Sequence, residues 1–463
     1  MAWQPSESSQ HWLSDGLTAW RMNAFIASVR TRVRASPMAH RLAAGAVWSM
    51  GGAIVERVLA VAGSIAIVRL LGKASFGEFV IVQSTLTMVG VFAGLGLGIT
   101  STKYVAELKE RDPQRLGRIL AFANRAALVS GAAIAGALAA GSGFISSRVL
   151  NMPQGAGLIA VSALAVLFTT VQNYQSGVLI GFEALRKNTT AGICAALLSV
   201  PASVALTFFY GLAGAVWGLV LGALLRLLIT RTILARCLQS WRIPRAPQGW
   251  TGEWRSMRDF ALPALLSNIM VAPAHWICHA MLVNSPGGKE QMAVLGIANQ
   301  WYYAMLLLPM AAGRIVLPVL TDTMAAKQSA RGARVLLLSM LANSVIVLPF
   351  LLILGAGAPF VMSIYGESYT SHWPVLTVAV ATASLLAIQT PVGTMLAASD
   401  RMWLGAVMNL GWAVAYVTAS WLLLEKGALG IVVGLLCAYV IHACWTFAFA
   451  ARQFRSGATN LGR

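Results

Sequence analysis

AGAVWSMGGAIVERVLAVAGSIAIV, residues 44–68, decides the class of this protein, because only Glu56 and Arg57 in it are charged. An α-helix rises about 1.5 Å per residue, so a run of this length crosses the roughly 30 Å of hydrocarbon in a bilayer. The whole chain repeats the message: of 463 residues, 58% are hydrophobic and 11% charged, with a mean hydropathy of +0.72. A water-soluble protein of this size needs a more charged exterior. The same figures exclude intrinsic disorder and a collagen-like chain, and five cysteines are too few for a disulfide-stapled secreted module. What remains is an all-α polytopic membrane protein.

Working outward from 44–68, similar runs recur near 78–100, 119–142, 157–180, 189–210, 212–235, 260–283, 292–313, 335–358, 374–397, 402–424 and 427–450, twelve spans in all. Lys and Arg collect in alternate loops, the mark of the side on which a membrane protein keeps its basic residues. With the N-terminus inside, 27 of the 34 fall on the cytoplasmic side and five on the other (Arg69, Lys73, Arg148, Lys289 and Lys426), while Arg57 and Arg125 lie within spans. The expectation is a multi-pass protein of the cytoplasmic (inner) membrane with both termini cytoplasmic. The net charge of +19 is thereby a topology signal, and nucleic acid is not an expected partner. Residues 1–41 form a basic leader with no cleavable signal peptide, read equally well as an interfacial helix over 17–34 or as an unstructured segment. All five cysteines are expected to be free thiols.

A weak internal repeat runs at an offset of 216 residues. It sets Gly72-Lys73 on Gly288-Lys289, Asn173 and Gly177 on Gln389 and Gly393, and Ile99–Leu120 on the stretch beginning at Ile315. Two six-span halves follow, at 42–240 and 259–452, joined by a cytoplasmic linker at 241–258 and ending in a tail at 453–463. Six is even, so the repeat is parallel and its axis runs along the membrane normal.

Polar groups at depth are the candidate functional residues. A central Arg costs roughly 2.5–3.5 kcal/mol to insert, so Glu56 and Arg57 either tie helices together or line a hydrated path. As helix neighbours they point about 100° apart and need not pair. Arg125 lies one to two turns into the third span. His275 and His279 share a helix face at i and i+4, beside Asn268 and Trp276. HWICH has no third ligand and is not a metalloprotease motif, so no metal is expected. Gln172, Asn173, Asn299, Gln300, Gln389 and Asn409 add uncharged groups that serve as interhelical hydrogen-bonding partners or, together, line a cleft between two bundles. No Walker A loop, nucleophile elbow or acidic pair in a large outer loop is present. The chain is therefore not read as an enzyme, no cofactor is expected, and the energy for any transport comes from an ion, potential or substrate gradient.

At VRLLGKASFGEFVIV, 68–82, the sequence resembles the polysaccharide or O-antigen flippases (Wzx-type) of the multidrug/oligosaccharidyl-lipid/polysaccharide exporter superfamily. Arg69, Leu71, Gly72, Phe76 and Gly77 match the family pattern, with Lys73 in place of its usual Pro. KYVAE at 103–107, SGVLIGFEALRKN at 176–188, GLAGAVWGLVLG at 211–222, DFALPALLSN at 259–268, LLLPMAAGRIVLPVL at 306–320 and SIYGESY at 363–369 echo it in order. The resemblance covers residues 42 to 450.

What the resemblance implies is a V-shaped pair of six-helix bundles around a cationic cavity. Its function would be to move undecaprenyl-pyrophosphate-linked oligosaccharide to the outer leaflet by alternating access, for O-antigen, exopolysaccharide or capsule. A diphosphate needs Arg-like partners, and Arg57 and Arg125 are the candidates for that contact. Glu56, His275 and His279 are the candidates for coupling to H+ or Na+. Implied partners are membrane lipids, the lipid-linked oligosaccharide, and a glycan polymerase with its assembly proteins. A multidrug exporter, or a membrane polymerase or ligase of the same glycans, is the alternative; one deep acid against two arginines argues against a carrier of cationic drugs.

Overall fold

The computed structural model describes residues 37–244, 250–254, 269–325, 329–398 and 402–459. The expected interfacial helix over 17–34, Asn268 and parts of the linker and tail lie outside the described residues. Among the described residues, eleven helices of twelve residues or more carry the fold: α1 Pro37–Gly94, α2 Leu97–Leu108, α3 Pro113–Ala140, α4 Ala156–Gly181, α5 Leu185–Ser240, α6 Val271–Val283, α7 Gly288–Ala325, α8 Ser329–Ala356, α9 Trp373–Ala398, α10 Met402–Leu422 and α11 Ala428–Thr459. A shorter helix, Ala358–Tyr365, lies between α8 and α9. No strand is present among the described residues. Six helices (α3, α4, α5, α8, α9 and α11) are long and apolar enough to cross a membrane by length and composition.

Two of these helices are hairpins of two spans. In α1 the reversal is at Gly72 (φ 72°, ψ 176°), and in α5 at Gly211 (φ 57°, ψ −135°), backbone conformations that a side chain opposes. Counting each arm, the chain forms two six-helix bundles: α1, α3, α4 and α5, with α2 prolonging the second arm of α1, and then α6 to α11. The turn at Gly72 and the turn before Gly288 occupy equivalent places, as the repeat requires. One expectation needs correction. The second span does not run unbroken over 78–100, because Leu95 (φ 45°) and Gly96 (φ 66°) are both left-handed and separate α1 from α2.

Local chemistry explains several ends. Asp112 accepts a hydrogen bond from the Arg115 amide at 2.8 Å, and Pro113 follows in the first turn, so α3 begins there. Phe208, Phe209 and Tyr210 are exposed just before the Gly211 turn, where aromatic rings suit a membrane–water boundary. Glu253, in the single turn Trp250–Glu253, lies 3.6 Å from Arg115 and 3.5 Å from Arg118, which docks that part of the linker on the start of α3.

Within the first bundle α5 packs on α1 and α4, and α3 and α2 pack on α4; within the second, α9 packs on α7, α8 and α11, and α10 on α11. Contact between bundles runs mainly through α1, which meets α7, α6 and the Ala358–Tyr365 helix, and is extended by Asn284 Nδ2 donating to the Val149 carbonyl at 2.7 Å. These meetings concentrate toward the Gly72 end. Lys289 Nζ is 2.6 Å from Glu78, Arg69 Nε donates to the Ile364 carbonyl at 2.9 Å, and Lys73 Nζ donates to the Ser368 carbonyl at 3.2 Å while lying 5.4 Å above the Tyr369 ring. A Cβ at Gly77 would collide with the Lys289 carbonyl oxygen, so α1 and α7 touch backbone to backbone.

Candidate functional site

A cavity of about 630 Å³ lies between the bundles. The first bundle supplies Arg57, Gln83, Ser84 and Thr87 to its wall, and the second supplies His275, His279, Asn299, Gln300 and Tyr303. Five residues singled out from the sequence therefore meet here, one from α1 and four from α6 and α7, which lie more than 200 positions further along the chain. Among the described lining residues none is acidic.

Arg57 is the one cation in that lining. Its Nε is buried and has no hydrogen-bond partner among the described residues. The neighbouring wall is ordered by a chain of hydrogen bonds: Trp301 Nε1 donates to the Tyr365 hydroxyl at 3.1 Å, Tyr365 donates to Gln300 Oε1 at 3.1 Å, and Gln300 Nε2 reaches the Ala60 carbonyl at 3.4 Å. Gln300 is thereby held against the Arg57 helix across the cleft. A desolvated guanidinium with free donor capacity suits an anion, above all one that accepts two parallel hydrogen bonds.

The histidines sit at the other side of the cavity. His279 Nδ1 is 2.6 Å from Ser84 Oγ, and Trp276 Nε1 donates to Thr85 Oγ1 at 3.0 Å, so α6 is pinned to α1 at two adjacent positions. His279 Nε2 is buried with no partner among the described residues. The His275 ring lies 5.1 Å from Tyr416 and 5.7 Å from Trp412, between the cavity and an aromatic cluster on α10 and α11 that also includes Tyr439.

The remaining sequence candidates lie elsewhere. Glu56 turns back into the first bundle, where Arg226 Nη1 donates to it at 2.6 Å. Gln172 is buried and donates to Ser176, which donates in turn to Asn188. Gln389 is buried 3.5 Å from His442 inside the second bundle. Arg125 is exposed on α3 and is not among the residues lining this cavity. Asn173 lines a second cavity of about 710 Å³ in the first bundle, which shares Gln83, Thr87, Val91 and Leu219 with the first. The five cysteines are free, and no group of three metal-ligating side chains occurs among the described residues.

Sequence reasoning did not single out Tyr303, Gln83 or the Glu56–Arg226 pair. The topology count places Arg226 with the arginines around the cytoplasmic end of the sixth span, although within 212–235 it lies deeper than the loop arginines, and that depth was the one signal that separated it from them. Gln83 carried a comparable signal, an amide more than one turn inside an apolar run.

Residues 42–324 match a family described as polysaccharide biosynthesis protein. The EPS I polysaccharide export inner membrane protein EpsE of Ralstonia solanacearum is 28% identical over 460 residues, 94% of this chain and 99% of that protein. Its namesake from Ralstonia nicotianae is 26% identical, over 90% and 95% respectively. Among solved structures, the chain is similar to an inward-facing multidrug resistance MATE family transporter of the MOP superfamily (TM-score 0.71, 14% identity, 89% of this chain and 99% of that one). It is also similar to a MOP superfamily transporter from Pyrococcus furiosus, described as having a binding pocket of reverse polarity (TM-score 0.67, 15% identity, 90% and 96%).

Proposed function

The chain belongs to the polysaccharide biosynthesis protein family, and from that premise we propose that it flips undecaprenyl-pyrophosphate-linked oligosaccharide across the cytoplasmic membrane by alternating access of the two bundles. The observation that carries the reading is Arg57: a cation with an unpartnered buried Nε, in a cavity between the bundles whose described lining holds no carboxylate. A lipid diphosphate supplies the missing acceptors. A cationic drug would meet repulsion there with nothing to offset it, which disfavours a multidrug exporter. The relatives named as polysaccharide export proteins support movement of a glycan rather than chemistry on its bonds.

On this reading both termini are cytoplasmic and the Gly72 end faces outward, where the Glu78–Lys289 pair and its neighbours close the cleft. His275 and His279 are the candidates for proton coupling because they join the cavity wall to the contact between bundles. Glu56 is the weaker candidate, since Arg226 already neutralises it. Glycan polymerase and assembly proteins are the expected partners downstream.

The test is a leaflet-resolved measurement of lipid-linked oligosaccharide. Deletion should trap the lipid in the inner leaflet. Arg57→Ala should reduce flipping by at least tenfold, about 1.4 kcal/mol or more of lost interaction, with the protein at its normal level in the membrane, and Arg57→Lys should recover part of it. Normal leaflet distribution in the deletion, with no second exporter present, would overturn the proposal.

A further inference from the structure

The cavity of about 710 Å³ beside the Arg57 cavity has a different chemistry. No charged residue is found in its described lining. Its polar side chains are two amides and two hydroxyls: Gln83 and Thr87 on the second arm of α1, Thr169 and Asn173 on α4. All four are exposed at the residue level inside a chain otherwise dominated by apolar surface. Gln83 and Thr87 also line the Arg57 cavity, so the two spaces adjoin along a shared wall.

Between the two polar pairs the backbone opens. α1 stops at Gly94 and α2 starts at Leu97, with Leu95 and Gly96 both left-handed, and Gly94, Gly96, Leu97 and Gly98 line the cavity. A helix end leaves carbonyls and a helix start leaves amides without intrahelical partners, and no side chain caps α2. Ser130 takes the Ala93 carbonyl at 2.8 Å, which shows that the break recruits partners where the fold has them to offer. Irregular backbone within a membrane protein is sustained where it faces protein or a water-filled space. Leu95 adds its own cost, of order 1 kcal/mol for a non-glycine residue in this conformation.

We propose that this break is a subsite for the glycan: an uncharged polyhydroxylated ligand whose hydroxyls pair with Gln83, Thr87, Thr169, Asn173 and the uncapped amides at the start of α2, while the diphosphate stays at Arg57. The inference rests on the flippase reading and assigns the part of the substrate that the reading leaves without a seat. Sugar hydroxyls donate and accept in equal measure, which matches amides, hydroxyls and paired helix ends and does not match an array of charges. The intervening glycines leave room for a pyranose ring to approach the backbone.

Full-length protein in lipid nanodiscs would be titrated with two probes, undecaprenyl diphosphate lacking sugar and the lipid-linked oligosaccharide fraction extracted from native cells. Asn173→Leu and, separately, Thr169→Leu, neither of which lines the Arg57 cavity, should weaken binding of the oligosaccharide-bearing lipid by about tenfold, the scale of one or two hydrogen bonds, and change binding of the bare diphosphate by less than twofold. Asn173→Gln should restore most of the loss, and thermal melting checks that each variant is folded. Arg57→Ala should weaken both probes. Equal loss for both probes in the leucine variants, or no loss for either, overturns the subsite and leaves the flippase reading standing. Failure of the unaltered protein to bind either probe removes both.

Discussion

Glu56 and Arg57 are adjacent, yet they serve different parts of the molecule. The 100° step of the helix sends Glu56 to Arg226 on α5 and leaves Arg57 for the cleft. The Glu56–Arg226 pair is about a quarter to a third exposed, so the cost of breaking it falls below that of a fully buried pair. Glu56→Gln or Arg226→Gln alone should destabilise the purified protein by about 1–3 kcal/mol. The double variant should recover much of that loss, because no unpaired charge is left behind. Thermal unfolding of all four proteins in detergent gives the coupling; independent, additive effects would show that the pair holds nothing together. Depth, and the divergence of two neighbours along one helix, were legible in the sequence. The partner was not, since 170 positions separate it. Arg125 makes the converse case: its depth in the third span was readable, but its direction around α3 was not, because a helix between lipid and protein is apolar on both sides and carries no stripe to orient it.

At the scale of elements, close approach decides where helices sit. A Cβ at Gly177 would collide with the Gly98 carbonyl, and Thr102 Oγ1 donates to the Gly177 carbonyl at 2.8 Å, so α4 and α2 cross with their backbones almost touching. Gly177→Val should therefore force the helices apart and lower stability by roughly 1–3 kcal/mol, the usual cost of overpacking, measured as a fall in melting temperature. A neutral outcome would mean that α2 slides without loss. The reversals at Gly72 and Gly211 fall in the gaps between spans 44–68 and 78–100 and between 189–210 and 212–235, and were legible because turns are local. The break at Leu95 was not, because leucine ordinarily avoids left-handed backbone and only the packing of α2 on α4 holds it there.

At the scale of the whole molecule, the contacts at the Gly72 end set whether the bundles stay together. Exchange of charge, Glu78→Lys with Lys289→Glu, should restore transport that either single reversal lowers, because the attraction survives the swap. Bridging cysteines at the same two positions with a short thiol-reactive linker should stop flipping until it is cleaved. Persistent transport in the bridged protein would rule out alternating access by separation at this end. Acid should loosen the same region. Burial, and then the Lys73 charge, hold His372 below the ordinary imidazole value of 6.5, with Ser371 Oγ 3.1 Å from its Nδ1. A solvated state therefore binds more protons as pH falls below about 6.5, and the closed arrangement loses stability in that direction. Protection against hydrogen exchange across 358–372, taken relative to the slower intrinsic exchange at lower pH, should fall on acidification, less so in His372→Asn.

Length, hydropathy and the alternation of basic loops were enough to determine an all-α chain of twelve spans in two similar halves, because crossing a bilayer constrains every run of twenty residues independently of its neighbours. Which polar groups share a cavity was decided only in three dimensions. Arg57, His275 and Gln300 meet because α1 packs on α6 and α7, whereas Gln389 and Gln172, of the same depth and chemistry, turn inward within their own bundles. Depth is a property of position along the chain; the direction a side chain faces depends on which helix lies beside it.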